Sequence, residues 1–325
     1  MHAETMATIR HPVADALERV EQMIADHLHS DVPLIEQVGQ HIIEGGGKRI
    51  RPMLVLLAGG GLAEIQEKLI KQAVVVEYIH TATLLHDDVV DDSSLRRGRL
   101  TSNSLWGNSA AVLVGDFLYT RAFELMVELD SPKVMRVMAR ATNTISQGEV
   151  LQLMNLGKID LTCSEVLNIA RSKTAELFAA SCCTGGLLSG AQEGLGQQLY
   201  QFGLELGMAY QIVDDALDYV SSAELTGKNP GDDLAEGKVT LPLILALEQV
   251  SKTEADWIRE SILKRDRSAF TDVLGIIEAS GVLNQCRQMA TERIQKALGC
   301  LETYPQGAHR RALETLAHFV SQRQA

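Results

Sequence analysis

Apolar residues recur three and four positions apart through most of the chain, as at Leu17, Val20, Ile24 and Leu28, which places them on one face of a helix. Alternating β-branched runs closed by Asn-Gly or Asp-Gly turns are missing, so no hairpin or sheet is predicted. The pattern breaks at GGGKRIRP (Gly45 to Pro52), AGGGLAE (Ala58 to Glu64), DSP (Asp130 to Pro132), SGAQEGLG (Ser189 to Gly196) and TGKNPGDDLAEGK (Thr226 to Lys238). These loops punctuate helices of roughly 15 to 25 residues without a long polar linker. The expectation is an all-α fold, a single-domain helical bundle over residues 1–325.

Composition narrows the function more than the fold. With 46% hydrophobic and 22% charged residues the chain can bury a large core. A formal net charge of −12 excludes a general nucleic-acid binder, which needs a basic surface to displace counterions from phosphates. Any anionic ligand must meet a local basic cluster or a bound metal. The five cysteines, Cys163, Cys182, Cys183, Cys286 and Cys300, show no CxxC spacing and are expected to be reduced thiols of a cytoplasmic protein. MHAETMATIRHPVADALERV has no apolar signal region, and the apolar runs fall short of the ~18 residues of a bilayer span. Contact with a membrane surface stays open.

One acidic device occurs twice. HDDVVDD (His86 to Asp92) and VDDALDY (Val213 to Tyr219) both read Asp-Asp-x-x-Asp, and each follows a long apolar helical segment. Residues four apart share a helix face, so Asp87 pairs with Asp91 and Asp214 with Asp218, while Asp88 and Asp215 sit a little way round. Carboxylates crowded at the end of a buried stripe repel one another, and a divalent cation removes that conflict. Hard oxygen donors without thiolates suit Mg²⁺ or Mn²⁺, completed by phosphate oxygens. A single such run is more often a solvated acidic face. Two copies beside apolar helix favour a metal-diphosphate site.

The basic residues then gain a purpose. Lys48, Arg49 and Arg51 lie in a glycine-rich turn, with Pro52 at a plausible first helical position where free N–H groups favour an anion. Arg96 and Arg97 fall beyond the expected end of the Asp87 helix, and arginine forks suit phosphate oxygens. For Arg99, solvation is as good an account. Lys173 and Thr174 offer an ammonium and a hydroxyl from a helix, and Lys228 and Lys238 flank a loop able to close over a diphosphate.

GGGKRIRP, EYIHTATLLHDDVVDDSSLRRG, LVGDFLYTRAF, QGEVLQL, SKTAELF, YQIVDDALDY and GKNPGDDLAEGKVTLP, running from Gly45 to Pro242, together resemble the trans-polyprenyl diphosphate synthases, with the bacterial octaprenyl type nearest. The resemblance implies a homodimeric helical fold around a deep central cavity. It implies that Mg²⁺ is held by Asp87, Asp91 and Asp214, with Asp88 and Asp218 supporting, and carries an allylic diphosphate. Arg96, Lys173, Thr174, Gln211, Lys228 and Lys238 match positions that contact that substrate. Lys48, Arg51, His80 and Arg97 match the isopentenyl diphosphate site. His80 alone reads as a core histidine, and it is the motif that gives it this role; His86 reads as structural. Tyr210 stands where the family usually has Phe. Segments 1–44 and 243–325 carry no usable motif.

Product length is expected to depend on what lies one turn before Asp87. Ala82 and Thr83 are both small, and an aromatic there stops growth early in the family, so the chain resembles its long-chain class. Tyr119, Phe123 and Met126 recur at helical spacing as a floor for the cavity, or as plain core. Other readings are a product between geranylgeranyl and decaprenyl, a non-catalytic regulatory subunit, a terpene cyclase or a diphosphate hydrolase. Intact acidic and basic motifs speak against the second, and a second diphosphate site against the third. Release of so apolar a product suggests peripheral membrane contact.

Overall fold

The computed structural model describes residues 2–220 and 231–323. These are almost wholly helical: α1 His2–Arg10, α2 Ala14–His27, α3 Pro33–Glu44, α4 Ile50–Gly60, α5 Glu67–Val90, α6 Ser102–Trp106, α7 Asn108–Glu128 and α8 Pro132–Met154. There follow α9 Cys163–Ala170, α10 Glu176–Leu188, α11 Glu193–Leu217, α12 Asp232–Glu236, α13 Leu241–Gln249, α14 Lys252–Lys264, α15 Phe270–Ser280, α16 Val282–Gly299 and α17 Ala308–Ser321. The expectation of an all-α chain holds, with one small departure. Leu95–Arg96 (β1) and Arg99–Leu100 (β2) pair antiparallel, Leu95 opposite Leu100. Arg97 and Gly98 turn the chain with φ of 54° and 74°. Both central residues are left-handed, as a tight two-residue hairpin requires, and the Arg-Gly pair is not one that marks such a turn in sequence.

Contacts divide the chain into two compact units. One comprises Met1–Thr142, Leu177–Gly203 and Cys300–Leu316, the other Asn143–Glu176, Leu204–Gly299 and Ala317–Ala325. In the first, α5 is the central element: Ile70, Ala73, Val74, Val75, Val76, Ile79 and Ala82 are all fully buried, so the helix is apolar nearly all round. Gly185 of α10 allows the closest approach to α4, because a Cβ there would lie 2.3 Å from the Val55 carbonyl oxygen. The Tyr304 hydroxyl donates to the Leu57 and Ala58 carbonyls at 2.7 and 3.0 Å, satisfying acceptors near the end of α4.

In the second unit, Leu241, Leu243, Ile244 and Leu245 bury α13. Tyr219, fully buried, packs against Phe270 with ring centroids 6.0 Å apart. Between α9 and α10 the residues Arg171–Ala175 form a turn of π-helix, which periodicity alone did not distinguish from α-helix. Among the described residues no helix is long and apolar enough to cross a membrane.

Candidate active site

Helix α5 ends at Val90, and Asp91 caps it, its N–H bonding the Asp87 carbonyl at 2.8 Å. The first acidic cluster therefore occupies the last helical turn, as the spacing predicts. Its members differ. Asp87 and Asp91 are half-buried, whereas the Asp88 side chain is 2% exposed and gripped by Arg96, with Nε at 2.8 Å and Nη2 at 2.7 Å from one carboxylate oxygen. Burial outweighs the Arg96 bond and, with the charges of Asp87 and Asp91, raises the Asp88 pKa from its ordinary value. The amide of Asn103 bonds the Asp88 and Ser93 carbonyls at 3.1 and 3.2 Å, and the Thr101 hydroxyl bonds Ser93 at 2.7 Å. These ties fix the path from the acidic turn into the arginine hairpin. No motif marked Asn103 or Thr101.

The glycine-rich turn lies in the same unit. Arg49, not Pro52, begins α4: it is the N-cap, left-handed at φ 49°, and Pro52 is the third residue of the helix. The reason is its side chain, which turns inward and bonds Glu77 at 2.5 Å and Glu21 at 2.7 and 3.0 Å. Lys48 is exposed, while the Arg51 guanidinium lies 4.8 Å over the buried ring of Phe178. Gly47 accommodates the neighbouring hairpin, since a Cβ there would come within 2.9 Å of the Arg97 guanidinium. His41 ties the hairpin to α3, its Nε2 2.8 Å from the Leu100 carbonyl oxygen and its Nδ1 3.3 Å from Arg99. His80, two turns before Asp87, has its pKa well below the ordinary histidine value, through burial first and then the charges of Arg51, Arg97, Arg96 and Arg49. A neutral imidazole amid arginines can donate a hydrogen bond to an anion without adding to their mutual repulsion.

In the second unit, Lys173 and Thr174 stand on the π-helical turn. The Lys173 ammonium lies 2.6 Å from Glu149 and 2.8 Å from Gln152. Thr174 donates to the Gln211 amide oxygen at 2.7 Å, and the Gln211 amide donates to Asp215 at 2.7 Å. Asp215 is pushed up to about 7, chiefly by burial and then by the charge of Asp233, against the pull of the Gln211 bond. Asp214 and Asp218 are half-buried, like Asp87 and Asp91. Lys238 is held by Glu236 at 2.6 Å, and Lys228 lies outside the described residues. Arg323, in the C-terminal segment where no motif was found, reaches Asp214 at 3.4 Å and covers the Tyr210 ring at 4.6 Å.

Among the described residues no three His, Cys, Asp or Glu side chains converge into a ready cation cage. The donors of each unit nevertheless suit Mg²⁺: Asp87 and Asp91 in the first, and Asp214 and Asp218 in the second, offer hard, half-buried oxygens, and Mg²⁺ keeps waters and completes its shell with substrate phosphate rather than with an all-protein cage. Asp88 is bound to Arg96 and Asp215 to Gln211, so the second aspartate of each motif organises its neighbours.

The polyprenyl synthetase family profile matches residues 32–278. The octaprenyl diphosphate synthase of Escherichia coli K12 is 45% identical over 95% of this chain and 96% of its own. The all-trans-nonaprenyl-diphosphate synthase (geranyl-diphosphate specific) of Rhodobacter capsulatus is 43% identical over 96% of each. A crystal structure of a polyprenyl synthase from Caulobacter crescentus CB15, complexed with calcium and isoprenyl diphosphate, superposes with a TM-score of 0.95 at 41% identity, covering 98% of both chains. A helical chain carrying both aspartate motifs and a basic glycine-rich turn, similar along nearly its whole length to these proteins, belongs to the polyprenyl synthetase family and is a prenyltransferase.

Proposed function

We propose that this chain is a long-chain all-trans polyprenyl diphosphate synthase, adding isopentenyl diphosphate repeatedly to an allylic diphosphate such as farnesyl diphosphate and ending at octaprenyl diphosphate, the precursor of a ubiquinone side chain. The observation that carries this reading is that Arg96 grips Asp88 in the acidic turn while the neighbouring Arg97 guanidinium lies against Gly47 of the glycine-rich turn that carries Lys48 and Arg51. An enzyme that only ionised one allylic diphosphate would have no use for this second basic site. Lys48, Arg51, Arg97 and His80 hold isopentenyl diphosphate by charge and hydrogen bonds. Arg96, Lys173, Thr174, Gln211 and Lys238, with Lys228, hold the allylic diphosphate, and the charges of the arginine and the lysines favour it as a leaving group.

Asp87, Asp91 and Asp214, with Asp218, are the residues we assign to Mg²⁺, which when bound supplies Lewis-acid charge to that leaving group. Asp88 supports the site by fixing Arg96. Attack of the isopentenyl double bond on the allylic carbon, followed by loss of a proton, needs no protein nucleophile. The whole chain serves as one synthase domain. Exposed Leu105, Leu113 and Val127 support a homodimer, and exposed Val150, Leu153 and Met154 on one face of α8 support passing contact with membrane during product release. The place of action is the cytoplasm.

The test is incubation with Mg²⁺, farnesyl diphosphate and labelled isopentenyl diphosphate, followed by chain-length analysis of the dephosphorylated product. A ladder ending at the octaprenyl product and abolished by Asp87→Ala is expected. No incorporation by folded, Mg²⁺-supplied protein would refute the synthase assignment and favour a regulatory subunit.

A further inference from the structure

The QGEVLQL motif, Gln147 to Leu153, lies on α8 and touches no substrate in the assignment above. Gln152 lies one turn on from both Gly148 and Glu149 of that helix, four and three residues away. This stretch meets the π-helical turn Arg171–Ala175. A Cβ on Gly148 would fall 2.8 Å from the Ser172 Cβ, 2.9 Å from the Lys173 nitrogen and 3.1 Å from the Ser172 carbonyl carbon. None of these atoms is the end of a flexible side chain, so any larger residue must displace the turn itself. Immediately beside this contact, Glu149 and Gln152 accept from the Lys173 ammonium at 2.6 and 2.8 Å.

The turn is thus held from two directions. Lys173 is bound to α8, and its neighbour Thr174 is bound through Gln211 to Asp215 of α11. A π-helical turn inside a helical segment is uncommon and is found disproportionately at functional sites. Lysine has a long, freely rotating stem, so a lysine that must meet a diphosphate at one point gains most from being fixed beforehand. Glu149 supplies the charge that fixes it, Gln152 a neutral acceptor that does not cancel it further, and Gly148 the distance.

We propose that Gly148, Glu149 and Gln152 form a positioning rack for Lys173 and Thr174, setting the affinity of the enzyme for its allylic diphosphate and not for isopentenyl diphosphate. This rests on the assignment of Lys173 and Thr174 to the allylic diphosphate. The three rack residues act through Lys173 and touch no reacting atom.

The experiment compares full-length wild type with Gly148→Ala, Glu149→Ala, Glu149→Gln and Gln152→Ala. Each substrate is varied separately at saturating Mg²⁺, and calorimetry follows binding of inorganic diphosphate and of an inert thio-substituted allylic diphosphate. For Glu149→Ala and Gly148→Ala the allylic KM and the analogue Kd should rise about tenfold to a hundredfold, with the isopentenyl KM within about twofold, as expected for misplacing one binding group. Glu149→Gln keeps an acceptor and should lose less than Glu149→Ala. Unchanged analogue binding in Glu149→Ala would overturn the proposal, as would a uniform rise in both KM values accompanied by a lowered Tm. If wild type incorporates no isopentenyl units, the synthase assignment fails by itself. The rack is then judged on inorganic diphosphate alone, where weaker binding by Glu149→Ala supports it and unchanged binding overturns it.

Discussion

Replacing Arg49 by Met should destabilise the protein by about 3 kcal/mol, the low end of the range for removing one partner of a buried ion pair. The Arg49 side chain is 10% exposed and its partner Glu77 8%, so the substitution leaves the Glu77 carboxylate in the interior without its cation. Burial works against the Arg49 charge, but Glu77 and Glu21 outweigh it and hold its pKa above the ordinary guanidinium value. Glu21 is 46% exposed, so losing that contact adds little. Methionine keeps the apolar stem and meets the same left-handed backbone demand as arginine, which isolates the charge as the variable.

Spread over 325 residues, an unfolding entropy of about 2.1 cal/mol/K per residue converts that loss to a fall in Tm of about 4 °C. Scanning calorimetry of the single variant and of Arg49→Met/Glu77→Met would measure it. The double variant should recover most of the loss, because removing both charges leaves nothing unsatisfied. With its anchor gone, the turn carrying Lys48 and Arg51 should also bind isopentenyl diphosphate more weakly in the single variant. A single variant as stable as wild type, or a double variant worse than the single, would refute the account of Arg49 as a buried anchor.

Three further outcomes follow from the geometry. The folded-state pKa of His80 lies below its usual value of 6.5, so beneath about pH 6.5 the unfolded chain takes up a proton that the folded chain refuses. Stability then falls as pH is lowered, by at most about 1.4 kcal/mol per pH unit from this group, and His80→Gln should flatten that limb in denaturant titrations. Gly185→Ala places a Cβ 2.3 Å from the Val55 carbonyl oxygen, against backbone that no side-chain rotation can move aside, and should cost about 2–3 kcal/mol by chemical denaturation. Ala82→Phe puts an aromatic ring one turn before Asp87 on the fully buried face of α5. The product ladder of that variant should end at shorter chains, and an unchanged ladder would show that Ala82 does not limit growth.

Much of this protein was legible in its residues because the relevant signals are local. Periodic apolar positions dictate helices wherever they occur, and an Asp-Asp-x-x-Asp run at the end of an apolar stripe places carboxylates on one turn whatever surrounds it. The acidic and basic motifs follow from such patterns, while family and reaction come from the resemblance those motifs carry together and from the matching family profile.

What the pattern left open was which of several equivalent charges does what. Lys48, Arg49 and Arg51 look alike in GGGKRIRP, and only the presence of Glu77 and Glu21, from helices distant in sequence, turns Arg49 inward. Asp88 looks like Asp87, yet Arg96 claims it through a hairpin whose Arg-Gly turn carries no strong sequence signal. The π-helical turn beneath Lys173 lies close against Gly148 of another helix, and Arg323 reaches Asp214 across more than a hundred residues of sequence. Charge type is written in the chain. Charge partnership is a matter of distances between segments, and only the tertiary structure brings those segments together.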